Sequence, residues 1–247
     1  MTASRDEMLR ELGLTPVWRL RRTTADPPGA GVSGHAGGVA RVRDADDPDA
    51  RRARIATLGF DALIEDIAAC TACGLCATRR RTVPGVGDTD AQWMFVGEAP
   101  GADEDAQGEP FVGQAGRLLD NMLAALGLSR ARNVYIANVL KCRPPNNRAP
   151  EPLEAAACGA YLDRQIALIG PRLIVALGKS AACRLLDVDA SVASLRNRVH
   201  RYRGTPLCVT YHPAYLLRNP ADKAKVWEDL LFARRTLRDA MAAAPDG

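Results

Sequence analysis

Seven cysteines are the first residues whose spacing could do chemistry. Cys70-Thr71-Ala72-Cys73 is a C-x2-C pair, and Cys142 and Cys158 are separated by fifteen residues. Thiolates from a C-x2-C turn, joined by two distant cysteines, can close a tetrahedral zinc site or ligate an iron–sulfur cluster. Cys73 and Cys76 form an overlapping C-x2-C, so spacing leaves the first pair open, and a redox pair or inert core thiols would have the same spacing. Cys183 and Cys208, in a predicted helix and strand, read as small buried hydrophobes.

A second group is built from glycine, proline and acid. Gly97-Glu98-Ala99-Pro100-Gly101 is followed by Ala102-Asp103-Glu104-Asp105, then by Pro110 and Phe111. Two glycines and a proline bring backbone amides close to whatever sits beside them, although an acidic helix cap would use the same residues. A phosphate site is a poor fit, because the loop carries carboxylates toward the anion. Gly178-Lys179-Ser180 resembles the end of a nucleotide-binding P-loop, but Leu173 stands where that motif needs a glycine.

His212, one of three histidines, opens His212-Pro213-Ala214-Tyr215-Leu216-Leu217-Arg218-Asn219-Pro220. Pro213 keeps His212 out of the α region and stiffens what reads as a loop. Leu216 and Leu217 in a proline-flanked loop imply contact with a partner, and one physical use of such a pair is a wedge between stacked bases. Arginines gather at Arg79-Arg80-Arg81 and at Arg196, Arg198, Arg201 and Arg203. Singly they read as a solvated edge; together they suit a groove that tracks a phosphate backbone.

The elements that must position these residues follow from periodicity. WMFVG (93–97), NVYIANV (133–139), RLIVALG (172–178) and PLCVTYH (206–212) read as buried strands. Helices are predicted around 63–67, 118–126 with Gly127 as the stop, 152–169, up to Leu186, and over 221–241. Alternation of this kind predicts a three-layer α/β/α fold with a four-stranded, mostly parallel central sheet. In such sheets the ligand crevice lies beyond the carboxyl ends of the strands, which here carry GEAPGADED, Asn138, GKS and HPAYLLRNP.

Ahead of this domain, residues 1–58 read as an extension: a short helical pattern within 1–22, then a stretch over 23–52 rich in Gly, Pro, Asp and Arg. That stretch has too little apolar surface to offset its ordering entropy and is expected to be a disordered linker. The remainder, 59–247, is expected to be the folded domain. The chain has 247 residues, 47% hydrophobic and 25% charged, as a soluble globular protein would. A net charge of +4 excludes a polycationic coat, and 5% aromatic content excludes a broad base-stacking platform. No stretch approaches the roughly 18 apolar residues of a membrane span, and MTASRDEMLR lacks the apolar core of a signal peptide. A cytosolic chain is expected.

GEAPGADED with the downstream Pro110-Phe111-Val112-Gly113, Asn138 four residues before Cys142 in NVLKCRPPNNRAP, and HPAYLLRNP together resemble family 4 uracil-DNA glycosylases. The resemblance runs in order from about Cys70 to the last helix and leaves residues 1–58 outside. It implies an enzyme that removes uracil from DNA, single- or double-stranded, without cutting the backbone; a monomer located near the nucleoid in the cytoplasm is expected. It implies a [4Fe–4S] cluster on Cys70, Cys73, Cys142 and Cys158, which sets Cys76 aside. It further implies that Asn138 reads uracil, Phe111 stacks on it, and Gly97 and Ala99 line the same pocket. His212 would donate to O2 of the departing base, Glu98 would position water, and Leu216, Leu217 and Arg218 would enter the duplex. The related branch that becomes covalently trapped on uracil DNA carries an added basic loop, and NVLKCRPPNNRAP runs into the next helix without one. A cluster-bearing DNA-binding module without catalysis is the alternative from another class. The extension over 1–58 is a possible docking segment for a protein partner.

Overall fold

The computed structural model describes residues 47–242. The expected helical pattern in 1–22, most of the expected linker and the partner-docking role given to them lie outside the described residues.

Four continuous apolar runs make the centre of the sheet. They are β2 (Trp93–Gly97), β3 (Val134–Asn138), β4 (Leu173–Leu177) and β6 (Thr205–Thr210), and neighbouring members of this set run parallel. Two short strands flank them antiparallel: β1 (Val86–Gly87) on β3 and β5 (His200–Tyr202) on β6. The sheet is therefore six-stranded and mixed, in the order β1-β3-β2-β4-β6-β5, and not four-stranded. Periodicity missed the flanking strands because they are only two and three residues long and bury no residue fully.

Side chains alternate between the sheet's faces, as the pleat requires. Met94 and Val96 join one core with Tyr135, Ala137, Ile174 and Ala176; Trp93 and Phe95 join the other with Val134, Ile136 and Val175. The first face is covered by α1 (Pro48–Thr57), α2 (Phe60–Ala69) and α5 (Pro152–Ile169), through Ile55, Leu63, Ile67, Tyr161 and Ile166. The second is covered by α4 (Gln114–Ala125) and α9 (Lys223–Ala242), through Leu119, Leu123, Val226 and Leu230. Shorter helices complete the chain: α3 (Ala102–Gln107), α6 (Lys179–Leu186), α7 (Val192–Leu195) and α8 (Pro213–Arg218). None of the described helices is long and apolar enough to cross a membrane.

Local signals explain the boundaries. Pro152 occupies the first turn of α5, Glu154 reaches back to accept from the Glu151 amide at 2.9 Å, and Gly170 ends the helix at φ +58°. The same logic corrects two expectations. Asp47 caps and Pro48 opens α1, so the segment before residue 58 is helical from Pro48 and is no linker there. Only one of its ten residues, Ile55, is buried, too few to register as an apolar period. HPAYLLRN is likewise a helix where a loop was expected: Pro213 sits in its first turn, where proline costs nothing because that amide has no helical partner.

Ile55 has no exposed surface. Ile55→Ala should therefore destabilise the protein by about 2–5 kcal/mol, measured by denaturant unfolding. A change below about 0.5 kcal/mol, the scale of a surface position, would show that α1 is not part of the folded core.

Candidate active site and cysteine cavity

The register of β2 on β3 sets Gly97 opposite Asn138. Beyond it the two loops are stitched together: the Val139 amide donates to Gly97 O at 3.0 Å, and Leu140 to Glu98 O at 3.1 Å. Asn138 is 2% exposed, and its Oδ1 is buried without a hydrogen-bond partner. Burying a carboxamide oxygen unpaired costs about 1–3 kcal/mol, so the position is set for something other than stability. Gly97 is what lets another group reach that amide. A Cβ there would collide with Asn138 Oδ1 and lie 2.6 Å from Phe111 Cζ.

Phe111 is 5% exposed and lies in the left-handed region at φ +57°. For a non-glycine residue this conformation costs on the order of 1–3 kcal/mol and persists only where surroundings impose it. Glu104 of α3 supplies one side: its Oε1 accepts the Val112 and Gly113 amides at 3.0 and 3.2 Å, and its Oε2 accepts the Gly101 amide at 3.0 Å. The expected acidic cap is thus real, but it does two jobs. On the other side Arg130 donates to Pro110 O at 2.7 Å and to Phe111 O.

His212 completes the cluster. Its ring lies 5.4 Å from that of Phe111, at 28°, and Gly178, at φ +91°, allows its backbone close by. As the N-cap of α8, His212 accepts the Ala214 amide on Nδ1 at 3.1 Å. A neutral imidazole bonded in this way carries its proton on Nε2, the remaining donor. Burial pushes its pKa down to about 4, the Arg218 charge pushes the same way, and Glu104 opposes them. Glu98 is half-buried beside this group; burial raises its carboxyl above the ordinary range, and a hydrogen bond from Ser180 partly offsets that. Ala99 is half-buried next to it.

The α8 helix divides the three residues expected to enter DNA. Successive helical residues are turned by about 100°, so Leu216 faces inward at 1% exposure and packs in the second core, while Leu217 is 45% exposed and Arg218 is exposed. Leu216 is a core residue, which corrects its assignment as a wedge. The arginine clusters also divide. Arg196 is withdrawn into an ion pair with buried Asp229 at 2.9 Å, and Arg79 turns toward the cysteines. Arg80, Arg81, Arg198, Arg201 and Arg203 remain on the surface.

Cys70, Cys73, Cys76, Cys142 and Cys158 line one small, apolar cavity, walled by Ile67, Leu75, Leu140 and Tyr161. Among the described residues no three His, Cys, Asp or Glu side chains converge as a single ion requires. Four sulfurs instead accept N–H bonds around the cavity. Arg51 of α1 reaches Cys70 at 3.5 Å, the Leu75 amide serves Cys73, Arg79 reaches Cys142 at 3.2 Å, and the Lys141 amide reaches Cys158 at 3.2 Å. Cys183 and Cys208 lie elsewhere, Cys208 buried and Cys183 half-buried. Lys141, fully buried, links this cavity to the crevice, donating from Nζ to Asn138 O at 2.8 Å and to Gln165 Oε1 at 2.6 Å.

Reading residues by type missed Lys141, Arg51, Arg130 and the second role of Glu104. Lys141 lies between two singled-out residues in NVLKC and was open to suspicion. Arg51 and Arg130 sit in unremarkable basic stretches, and nothing local marks them.

An α/β/α sandwich with a buried carboxamide, an aromatic ring and a neutral histidine at the carboxyl ends of parallel strands belongs among proteins that take a flat, polar heterocycle into a crevice. A family model described as "Uracil DNA glycosylase superfamily" matches residues 84–231, and the chain belongs to that superfamily. The type-4 uracil-DNA glycosylase of Archaeoglobus fulgidus is 46% identical over 169 residues, covering 65% of this chain and 84% of the relative. That of Thermotoga maritima is 44% identical over 178 residues, covering 70% and 92%. A type-5 uracil-DNA glycosylase, from Pyrobaculum aerophilum, is 34% identical over 152 residues, covering 55% and 67%.

The half-buried ring of His212 should stay neutral through the physiological range. Its NMR resonances should be constant from pH 8 down to about 5 and move only near pH 4. An inflection near the ordinary value of about 6.5 would show the ring to be solvated.

Proposed function

We propose that the chain is a type-4 uracil-DNA glycosylase, which turns uracil out of DNA, hydrolyses its N-glycosidic bond and leaves an abasic site. One observation carries the reading: a buried carboxamide, Asn138, with an unpartnered oxygen beside the ring of Phe111. Uracil offers acceptors at O2 and O4 and a donor at N3, so a carboxamide can meet O4 and N3–H together. Phe111 supplies the stacking surface that replaces a neighbouring base.

Breaking the C1′–N1 bond moves an electron pair onto the uracil ring. The Nε2–H of His212 donates to O2, and that bond strengthens as the charge grows, which is selective stabilisation of the transition state. A neutral imidazole is the right donor, because it need not surrender its proton. Glu98, kept short of full burial, orients the water that adds at C1′, next to the Ala99 amide. Leu217 and Arg218 enter the duplex from exposed positions on α8 and hold the base outside the stack.

A [4Fe–4S] cluster fits the cysteine cavity, held by Cys70, Cys73, Cys142 and Cys158. The fit rests on four sulfurs spread around an apolar space, each accepting an N–H bond as cluster thiolates do. Burial, opposed by the Lys141 charge and amide and helped by Cys142 and Cys70, pushes the Cys158 thiol up to about 12, a cost that bound metal removes by displacing the proton. When bound, the cluster supplies a cross-link between α2, the loop after β3 and α5.

The decisive assay incubates the protein with uracil-containing oligonucleotide and then with alkali, which cleaves at abasic sites. Strand cleavage is expected; its absence would leave a binding module. His212→Ala should slow single-turnover excision about 100- to 1,000-fold, or roughly 2.7–4 kcal/mol, with DNA affinity little changed because phosphate contacts dominate it. Asn138→Asp should also lose excision, since a carboxylate cannot donate to O4. Intact chemistry with weakened binding in His212→Ala would make His212 a backbone contact.

Purified anaerobically, the protein should be brown and hold about four irons and four sulfides, as a cubane requires. Cys142→Ala or Cys158→Ala should bleach it, and Cys183→Ala should not. Stoichiometric zinc would overturn the cluster.

A further inference from the structure

Phe111 is held against its own backbone preference, and the groups that hold it lie outside the reacting centre. We propose that Arg130 is a positioning residue for uracil excision, acting solely through Phe111. The inference rests on the reading of Phe111 as the stacking surface.

A phenylalanine at φ +57° does not stay there unaided. The peptide following Phe111 is gripped at both ends. Its carbonyl oxygen accepts from Arg130 Nη2, and its N–H, that of Val112, is taken by Glu104 Oε1. The preceding peptide is gripped as well, since Arg130 Nη1 donates to Pro110 O at 2.7 Å. One planar guanidinium thus bridges two successive carbonyls, a geometry that a lysine ammonium cannot reproduce as a fork. The fork is itself aimed, because Arg130 Nε donates to Asp120 Oδ1 of α4 at 2.6 Å. Gly116, also on α4, leaves room for the result: a Cβ there would run into the Phe111 carbonyl.

Arg130 follows the end of α4, nineteen residues from Phe111, and belongs to none of the site motifs. Its side chain is 22% exposed, so its place is not fixed by burial of charge. A displaced Phe111 ring would leave Asn138 and His212 intact but offer uracil a tilted platform. Displacements of about 1 Å in such a constellation cost on the order of 100-fold in rate.

The test is a double-mutant cycle on single-turnover uracil excision at saturating enzyme, using Arg130→Met, Phe111→Ala and the pair. Arg130→Met alone should slow excision on the order of 100-fold, with affinity for undamaged DNA and cluster absorbance unchanged. In the Phe111→Ala background the same change should cost less than about twofold, because the ring that Arg130 positions is gone. Arg130→Lys, which keeps the charge and loses the fork, should fall between wild type and Arg130→Met. It also carries the same cycle if thermal melting shows that Arg130→Met does not fold. Effects that multiply in the double variant would overturn the positioning role and leave the stacking role of Phe111 standing, as would an Arg130→Met enzyme of normal rate. A Phe111→Ala enzyme of normal rate would remove the stacking role itself, and the inference with it.

Discussion

The pairing of Gly97 with Asn138 across β2 and β3 is the constraint on which the site depends. It puts a residue without a side chain next to one whose carboxamide is buried and incompletely satisfied. Had any other residue stood at 97, its Cβ would occupy the space shared by Asn138 and Phe111. The two amide-to-carbonyl bonds just beyond the strands then hold both loops in step. Parallel pairing makes this possible, because both strands end at the same edge of the sheet and deliver their loops to one crevice.

Stability has been given up locally to hold this arrangement. Asn138 Oδ1 lacks a partner, Phe111 occupies a left-handed conformation, and His212 is kept neutral by burial. Each is costly alone, and each is tolerated because rigid neighbours impose it. The surrounding polar groups are well satisfied: Glu104 takes three amides, and Lys141 has two acceptors. The contrast between a satisfied frame and an unsatisfied centre distinguishes a binding crevice from a faulty core.

The cysteine cavity and the crevice share one stretch of backbone. Asn138 and Cys142 are four residues apart, and Lys141 between them bonds to Asn138 O through its side chain and to Cys158 through its amide. A cross-link at the cysteines would therefore constrain the loop that presents the Asn138 amide. Helix α1 belongs to the same unit, since Arg51 donates to Ala157 O at 2.6 Å, lies over the ring of Tyr161 and reaches Cys70.

Much of this was legible in the chain. The four long strands, α5 and the final helix follow from apolar periodicity and end signals, and the residues of the crevice follow from where those strands must end. Pro213 was a helix-start signal as readable as Pro152; taken as a loop marker, it sent Leu216 to the surface. The flanking strands and α1 were less accessible, because they bury too little to leave a pattern. The sequence by itself determined the alternating α/β order and the residue types at the strand ends, since both are local consequences of hydrophobic spacing, glycine and proline. Only the tertiary structure decided that Leu216 turns inward, that Arg196 is neutralised by Asp229, and that Arg130 and Arg51 reach back to Phe111 and Cys70. The three arginine contacts join residues 19 or more positions apart, where their meeting is set by the packing of whole helices on the sheet.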